Sequence, residues 1–329
     1  MITKKYTSKK TGNQVMEKFI SKHVPFKTQL KIHECATNLQ LLVDKDLVKN
    51  KVNWANFCGN RFCPMCAYIQ SKKDSLKIDV LMNYIGEQHG KDFIMLSLTA
   101  PNVKGYMLNQ EIAKFNLEFK NMTKRDVVAN MNHGYIRKLE ITYNSEPVIT
   151  YDMWHGTEHS KPMAEYFGRM GLYIGDPNPN YDTYHVHFHV MFAVDGYYFK
   201  NRKYIKHAKW LALWRDVMQD ESITQVDVRR VKRTGKETSE IAKYVAKDSD
   251  YTYSQEVFDV FYKALKGRQV ITYSGLFAEA NKKYKAKELD EYCFVDETEY
   301  VYLMLYNWVR NDYIEQSRRE LTEEEKYRL

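Results

Sequence analysis

Hydrophobic and polar positions change period several times along this chain, and each change predicts an element. Residues 1–30 are polar and basic without a sustained period, which predicts a poorly ordered or surface-lying arm. Gln29-Leu-Lys-Ile-His-Glu34 alternates as a strand would, and helical spacing then runs from about Tyr68 to Gly90. Phe93–Pro101 is a continuous apolar run stopped by proline, hence a buried strand. Asn109 stands where an N-cap would open an amphipathic helix carrying Ile112, Phe115, Leu117 and Phe119 to about Met131. Alternation returns in Tyr135–Tyr143, a half-buried strand. Turn residues, among them Gly175-Asp-Pro-Asn-Pro-Asn180, fill 145–182 and predict a long insertion with one helix near Ser160–Met170.

The alternation is strictest in Tyr184–Val194. As a strand, it puts His185, His187 and His189 on one face and Val186, Phe188, Val190 and Phe192 on the other. A helix near Tyr204–Met218, a strand Ile223–Val231 and a helix near Thr238–Lys247 follow. Beyond them lie a helix at about 254–266, a strand Gln269–Tyr273 and helices to the end. This order predicts an α+β fold. Its central antiparallel sheet would be ferredoxin-like or RNA-recognition-like, with flanking helices and an N-terminal zinc-ribbon-like module. The expected divisions are a basic arm at 1–30, a cysteine-rich module with its linking helix at 31–90, a core at 91–275 carrying the 145–182 insertion, and a C-terminal helical region at 276–329.

Composition adds a little. At 329 residues the chain exceeds what one core usually fills. With 44% hydrophobic and 28% charged residues and no long apolar run or secretory leader, it reads as a cytoplasmic globular protein without membrane association. A net charge of +8 is compatible with a polyanionic partner, and 26 tyrosines offer surfaces on which unpaired bases can stack. Cysteine changes the picture more. Four of the five lie within 35–66, three of them as Cys58-x4-Cys63-Pro-x-Cys66. The Cys-Pro-x-Cys knuckle lets two thiolates meet one zinc ion, with Cys58 from the preceding turn and Cys35 as fourth ligand, or His33 in its place. Such a site is structural. Cys293 reads as a core residue.

The histidine strand offers a rigid floor for a second, divalent ion. His187 and His189 are spaced to bind one ion, whereas His185 is about 13 Å from His189 along a strand, too far for all three to share it undistorted. Glu140, from the strand expected beside it, is the candidate third ligand; a carboxylate adds the hard oxygen that Mg²⁺ or Mn²⁺ prefers. On the helix near 238–247, Glu240, Tyr244 and Lys247 share one face. Tyr244 could equally join Ile241 and Val245 in a core stripe, and Glu240 could simply complement the helix dipole. Together with a metal floor, they suggest attack by tyrosine on phosphate.

In order along the chain, Cys58 to Cys66, Leu98 to Asn102, Leu139 to Asn144, the His strand and Ala242 to Lys247 resemble the rolling-circle plasmid replication initiators of the single-tyrosine class. These belong among the His-hydrophobe-His nicking endonucleases. Ser274-Gly275 fits as well, so the resemblance covers roughly 30–285. It implies that His187 and His189 are metal ligands, Tyr244 the nicking nucleophile, and Glu240 the carboxylate that activates water to end a replication round. Val186 stands where the family commonly has proline between the first two histidines. The implied partners are the plasmid's double-strand origin, single-stranded DNA at a hairpin, and the host helicase and polymerase; monomer and dimer both stay open. A mobilisation relaxase or single-strand transposase would use the same chemistry, and a non-enzymatic zinc-ribbon nucleic-acid binder would use none of it.

Overall fold

The computed structural model describes residues 3–158, 162–200, 204–231, 241, 248–293 and 296–327. They form a mixed α+β protein in two compact units, one mainly from residues up to 83 with those from 284 onward, the other mainly from 84 to 283. In chain order the first elements are α1 (Lys4–Ile20), α2 (Phe26–His33), β1 (Asn38–Asp44), β2 (Asn50–Ala55) and α3 (Pro64–His89). Next come β3 (Lys91–Thr99), α4 (Leu108–Thr123), α5 (Asp126–Ala129), β4 (Gly134–Asn144), α6 (Tyr151–His155) and α7 (Ala164–Arg169). Then follow β5 (Thr183–Asp195), α8 (His207–Met218), β6 (Val226–Arg230), α9 (Asp248–Tyr251), α10 (Gln255–Leu265) and β7 (Ile271–Gly275). The chain closes with α11 (Leu276–Lys285), β8 (Tyr300–Val309), β9 (Asp312–Glu320) and α12 (Glu323–Tyr327). None of the described helices is long and apolar enough to cross a membrane.

The first unit differs from the sequence expectation in three places. The arm expected at 1–30 is helical: α1 buries Tyr6, Lys10, Asn13, Met16 and Ile20 at helical spacing. Two of those five are polar, which hides the stripe from a hydrophobic pattern. The tyrosine hydroxyl of Tyr6 donates to Asn50 on β2 at 3.1 Å, and Thr7 donates to Asp312 on β9 at 3.0 Å. Gln29–Glu34, read as a strand, lies mostly in α2; only Ile32 of that helix is buried, so the apparent alternation marks no sheet face. The C-terminal region expected to be helical instead supplies β8 and β9, which complete an antiparallel sheet of order β2-β1-β8-β9. Arg310 and Asn311, both at positive φ (49° and 65°), make the two-residue turn whose twist suits a hairpin.

The second unit is built on an antiparallel sheet of order β6-β3-β5-β4-β7, with the His strand β5 at its centre. Its apolar face packs on α4 and α8. Phe188 meets Phe115 and Phe119 edge-on at 5.3 and 5.9 Å between ring centres, and Phe192 stacks on Trp210 at 6.0 Å. The indole N–H of Trp214 donates to the Thr99 carbonyl at 2.7 Å, tying α8 to the end of β3. Helix α4 starts at Leu108, with Asn109 inside it rather than capping it; the Asn109 side chain accepts from Arg268 instead. The insertion carries two short helices, α6 and α7, in place of the single one expected. Gly134 and Gly275 face each other where β4 meets β7, and a Cβ at either would strike the other strand's backbone. The Ser274-Gly275 pair is thus explained by close strand approach.

Candidate active site and cysteine cluster

Register brings the first site together. In the antiparallel pairing, His187 lies opposite Glu140 on β4 and opposite Thr99 on β3, while His189 lies opposite Lys138 and Ser97. Because directly opposed residues share a face, the two imidazoles and the carboxylate converge. Nε2 of His189 is 2.7 Å from Glu140 Oε2, and Nε2 of His187 is 3.1 Å from the same oxygen. All three side chains are largely buried. Burial alone would raise the Glu140 pKa, but hydrogen bonds and charge from His187 and His189 hold it well below the usual carboxylate range.

The three ligand atoms form a group able to hold a metal ion. The 2.7 and 3.1 Å separations suit neighbouring ligands about 2.1 Å from a hexacoordinate ion, which lie roughly 3 Å apart. His185 does not join them. It stands one step out, with its ring centre 5.2 Å from that of His187, and burial, helped by His187, pushes its pKa down to about 4. A neutral imidazole there adds no charge to the site.

Ser97 is a contributor that sequence reasoning missed. Its hydroxyl is hydrogen-bonded to His189 Nδ1 at 3.1 Å, which orients the ring and leaves Nε2 for the Glu140 side. The signal was present in the alternation of Ser97 and Thr99 with Leu96 and Leu98, but it needed the β3–β5 register to be read. His187 has no such support: its Nδ1 is buried without a hydrogen-bond partner among the described residues. Glu240, Tyr244 and Lys247 lie outside the described residues. The chain is described again from Asp248, and the Asp250 carboxylate accepts the Tyr143 N–H at 3.2 Å, on the strand that carries Glu140.

The second cluster joins Cys35, Cys58, Cys63 and Cys66. Sulfur separations are 3.6 Å for Cys35–Cys63, 3.5 Å for Cys35–Cys66 and 3.6 Å for Cys58–Cys66. A tetrahedron of thiolates about 2.3 Å from zinc has edges of roughly 3.8 Å, so the four fit such an ion. Donors surround the sulfurs as they would thiolates: Cys58 N–H on Cys35, Gly59 N–H on Cys66 and the Asn13 amide on Cys63, at 3.3–3.4 Å. Lys10, almost wholly buried, donates to Asn13 Oδ1 and to the His33 carbonyl. Burial lowers its pKa, while Cys35, Cys63, Glu17 and Cys58 pull it back up. His33 is not part of the cluster; its exposed ring pairs with Glu17 at 3.0 Å. Cys293, expected in a core, is exposed.

An antiparallel sheet bearing a buried carboxylate and two imidazoles, together with a separate four-cysteine cluster in the other unit, defines an α+β protein with two groups able to hold metal ions. The chain belongs to the replication protein (Rep) family of plasmid replication initiators, whose family model matches residues 49–314. It is 40% identical over 249 residues to "Protein rep" of Staphylococcus aureus, covering 75% of this chain and 94% of that one. It is also 30% identical over 295 residues to "Protein rep" of Bacillus amyloliquefaciens, covering 82% and 77% of the two chains. No solved structure gives a significant match.

Proposed function

We propose that this chain is a rolling-circle initiator that binds its plasmid's double-strand origin in the cytoplasm and nicks one strand through Tyr244. The observation that carries the reading is the meeting of His187, His189 and Glu140 on adjacent strands, on a face whose reverse is locked into the core. The strand order supports it too. Numbering β3, β4, β5 and β6 as one to four gives the all-antiparallel order 4-1-3-2 of a ferredoxin-like or RNA-recognition-like sheet, with β7 added at the edge.

His187, His189 and Glu140 would hold the Mg²⁺ or Mn²⁺ ion, which when bound supplies positive charge to the non-bridging oxygens of the scissile phosphate. The Tyr244 oxygen attacks phosphorus, the bond to the 3′ oxygen breaks, and that oxygen leaves with a proton as a free 3′-hydroxyl for the host polymerase. The phenolic proton is released, and the new bond is a 5′-phosphotyrosine. Lys247, three residues on in the chain, adds positive charge, and Glu240, four residues earlier, accepts a proton from the water that ends the round. The cysteine cluster takes the zinc ion in a structural role, and a host helicase unwinds the duplex.

The test is a denaturing gel of the protein with a labelled oligonucleotide spanning its own origin. A slower, Mn²⁺-dependent covalent adduct, lost in Tyr244→Phe and mapped to Tyr244 by peptide analysis, is expected. No adduct, or one mapped to the exposed Tyr253, would overturn the assignment.

A further inference from the structure

The charge of this chain is concentrated at one end. Residues 1–33 hold eight lysines and one glutamate, a balance of +7 in a chain whose total is +8. That segment forms α1 and α2, and Lys4, Lys5, Lys18, Lys22, Lys27 and Lys31 are exposed on it. Its one carboxylate, Glu17, is already engaged by His33. On α2 the exposed lysines flank Phe26 and Leu30, which are 71% and 45% exposed.

The pair is also rigidly held. The Gln29 side-chain amide donates to the Ser21 and Val24 carbonyls at 2.9 and 3.0 Å, fixing the turn between the helices. From the other side, Lys10 bridges to the His33 carbonyl and to Asn13, whose amide donates to Cys63 of the cysteine cluster. Six exposed lysines against one engaged carboxylate, on a helix pair held in place, give the local positive field that attracts a polyanion.

We propose that the α1–α2 pair is the surface that docks duplex DNA, its exposed lysines taking backbone phosphates. This rests on the reading of the chain as an origin-nicking protein and names the part that grips the duplex. Helix α1, with 17 residues, is about 26 Å long at 1.5 Å per residue. Along that length a duplex presents a charge about every 1.7 Å, so α1 and α2 together can meet several phosphates without reading sequence. This whole surface precedes the residues matched by the family model, which begin at 49.

The experiment measures binding of a fluorescent duplex carrying the plasmid's origin by anisotropy, across a series of salt concentrations. Each phosphate that a lysine no longer neutralises flattens the slope of log affinity against log salt by about 0.9. The combined variant Lys18→Gln, Lys22→Gln, Lys27→Gln, Lys31→Gln should flatten the slope by up to about 3.6 units and weaken binding at every salt concentration. The same number of changes on the second unit, at Lys120, Lys124, Lys263 and Lys282, should alter the slope by less than about 1 unit. Unchanged zinc content and melting temperature show that the first variant is folded. A variant that keeps the wild-type slope, an equal loss from the second set, or weakened binding to phosphatidylserine vesicles alone and not to DNA would each overturn the proposal. None of these touches the nicking reading, which stands or falls with the covalent adduct of the wild-type protein.

Discussion

The two candidate metal groups of this protein are built on opposite plans. Glu140, His187 and His189 stand on neighbouring strands, so backbone pairing alone sets their spacing. Cys35, Cys58, Cys63 and Cys66 come from loops and the first turn of α3, with no sheet to place them. Three ligands from one sheet face leave coordination positions for water and substrate; four thiolates close a tetrahedron. The difference separates a plan open to chemistry on a bound ion from one suited to holding the chain in shape.

The largest effect should come from the strand site. His187→Ala or His189→Ala should reduce nicking at least 1,000-fold, roughly 4 kcal/mol of lost transition-state stabilisation, while melting temperature and zinc content change little. Nicking-rate measurements that find either variant within tenfold of wild type would mean that the two imidazoles serve only the fold.

The cysteine cluster should respond in the reverse sense. Cys63→Ser, or strong chelation, should unfold the N-terminal unit, because in small zinc-folded peptides metal binding carries on the order of 10 kcal/mol of folding energy. Circular dichroism and elemental analysis check this, and a chelated protein with an unchanged melting curve would sink the structural-zinc assignment.

A smaller effect sharpens the contrast within the sheet. Ser97→Ala removes the partner that orients His189 and should lower metal affinity or nicking rate about 10- to 100-fold, without altering stability by more than about 1 kcal/mol. The least effect is expected from His185→Ala, within about tenfold in rate, since that ring is held outside the ligand group. Single-turnover kinetics on both variants would rank them, and a His185 variant as impaired as His189→Ala would shift the ligand set one step along β5.

Legibility followed the same division. Alternation alone placed His187 and His189 on one face, and pairing β4 with β5 was enough to nominate Glu140, because strand geometry turns sequence spacing into distance. The clustering of Cys35 with Cys58, Cys63 and Cys66 was visible for a different reason, since thiol spacing in a knuckle is local. What stayed hidden depended on long-range packing. Lys10 and Asn13 interrupt the buried stripe of α1, so its helical period was masked. The segment Tyr300–Val309 is rich in aromatic and branched residues, but its partner β1 lies more than 250 residues earlier, and no local signal names it. Ser97 needed a register that only the folded sheet supplies.

The central claim is that the strand site, and not the cysteine cluster, takes an exchangeable divalent ion for the reaction. Titration of the zinc-loaded protein with Mn²⁺, reading the free ion by electron paramagnetic resonance, tests it most directly. The account predicts one reversible Mn²⁺ site that persists in Tyr244→Phe and disappears in His187→Ala and His189→Ala. Undiminished Mn²⁺ binding in both histidine variants would contradict it.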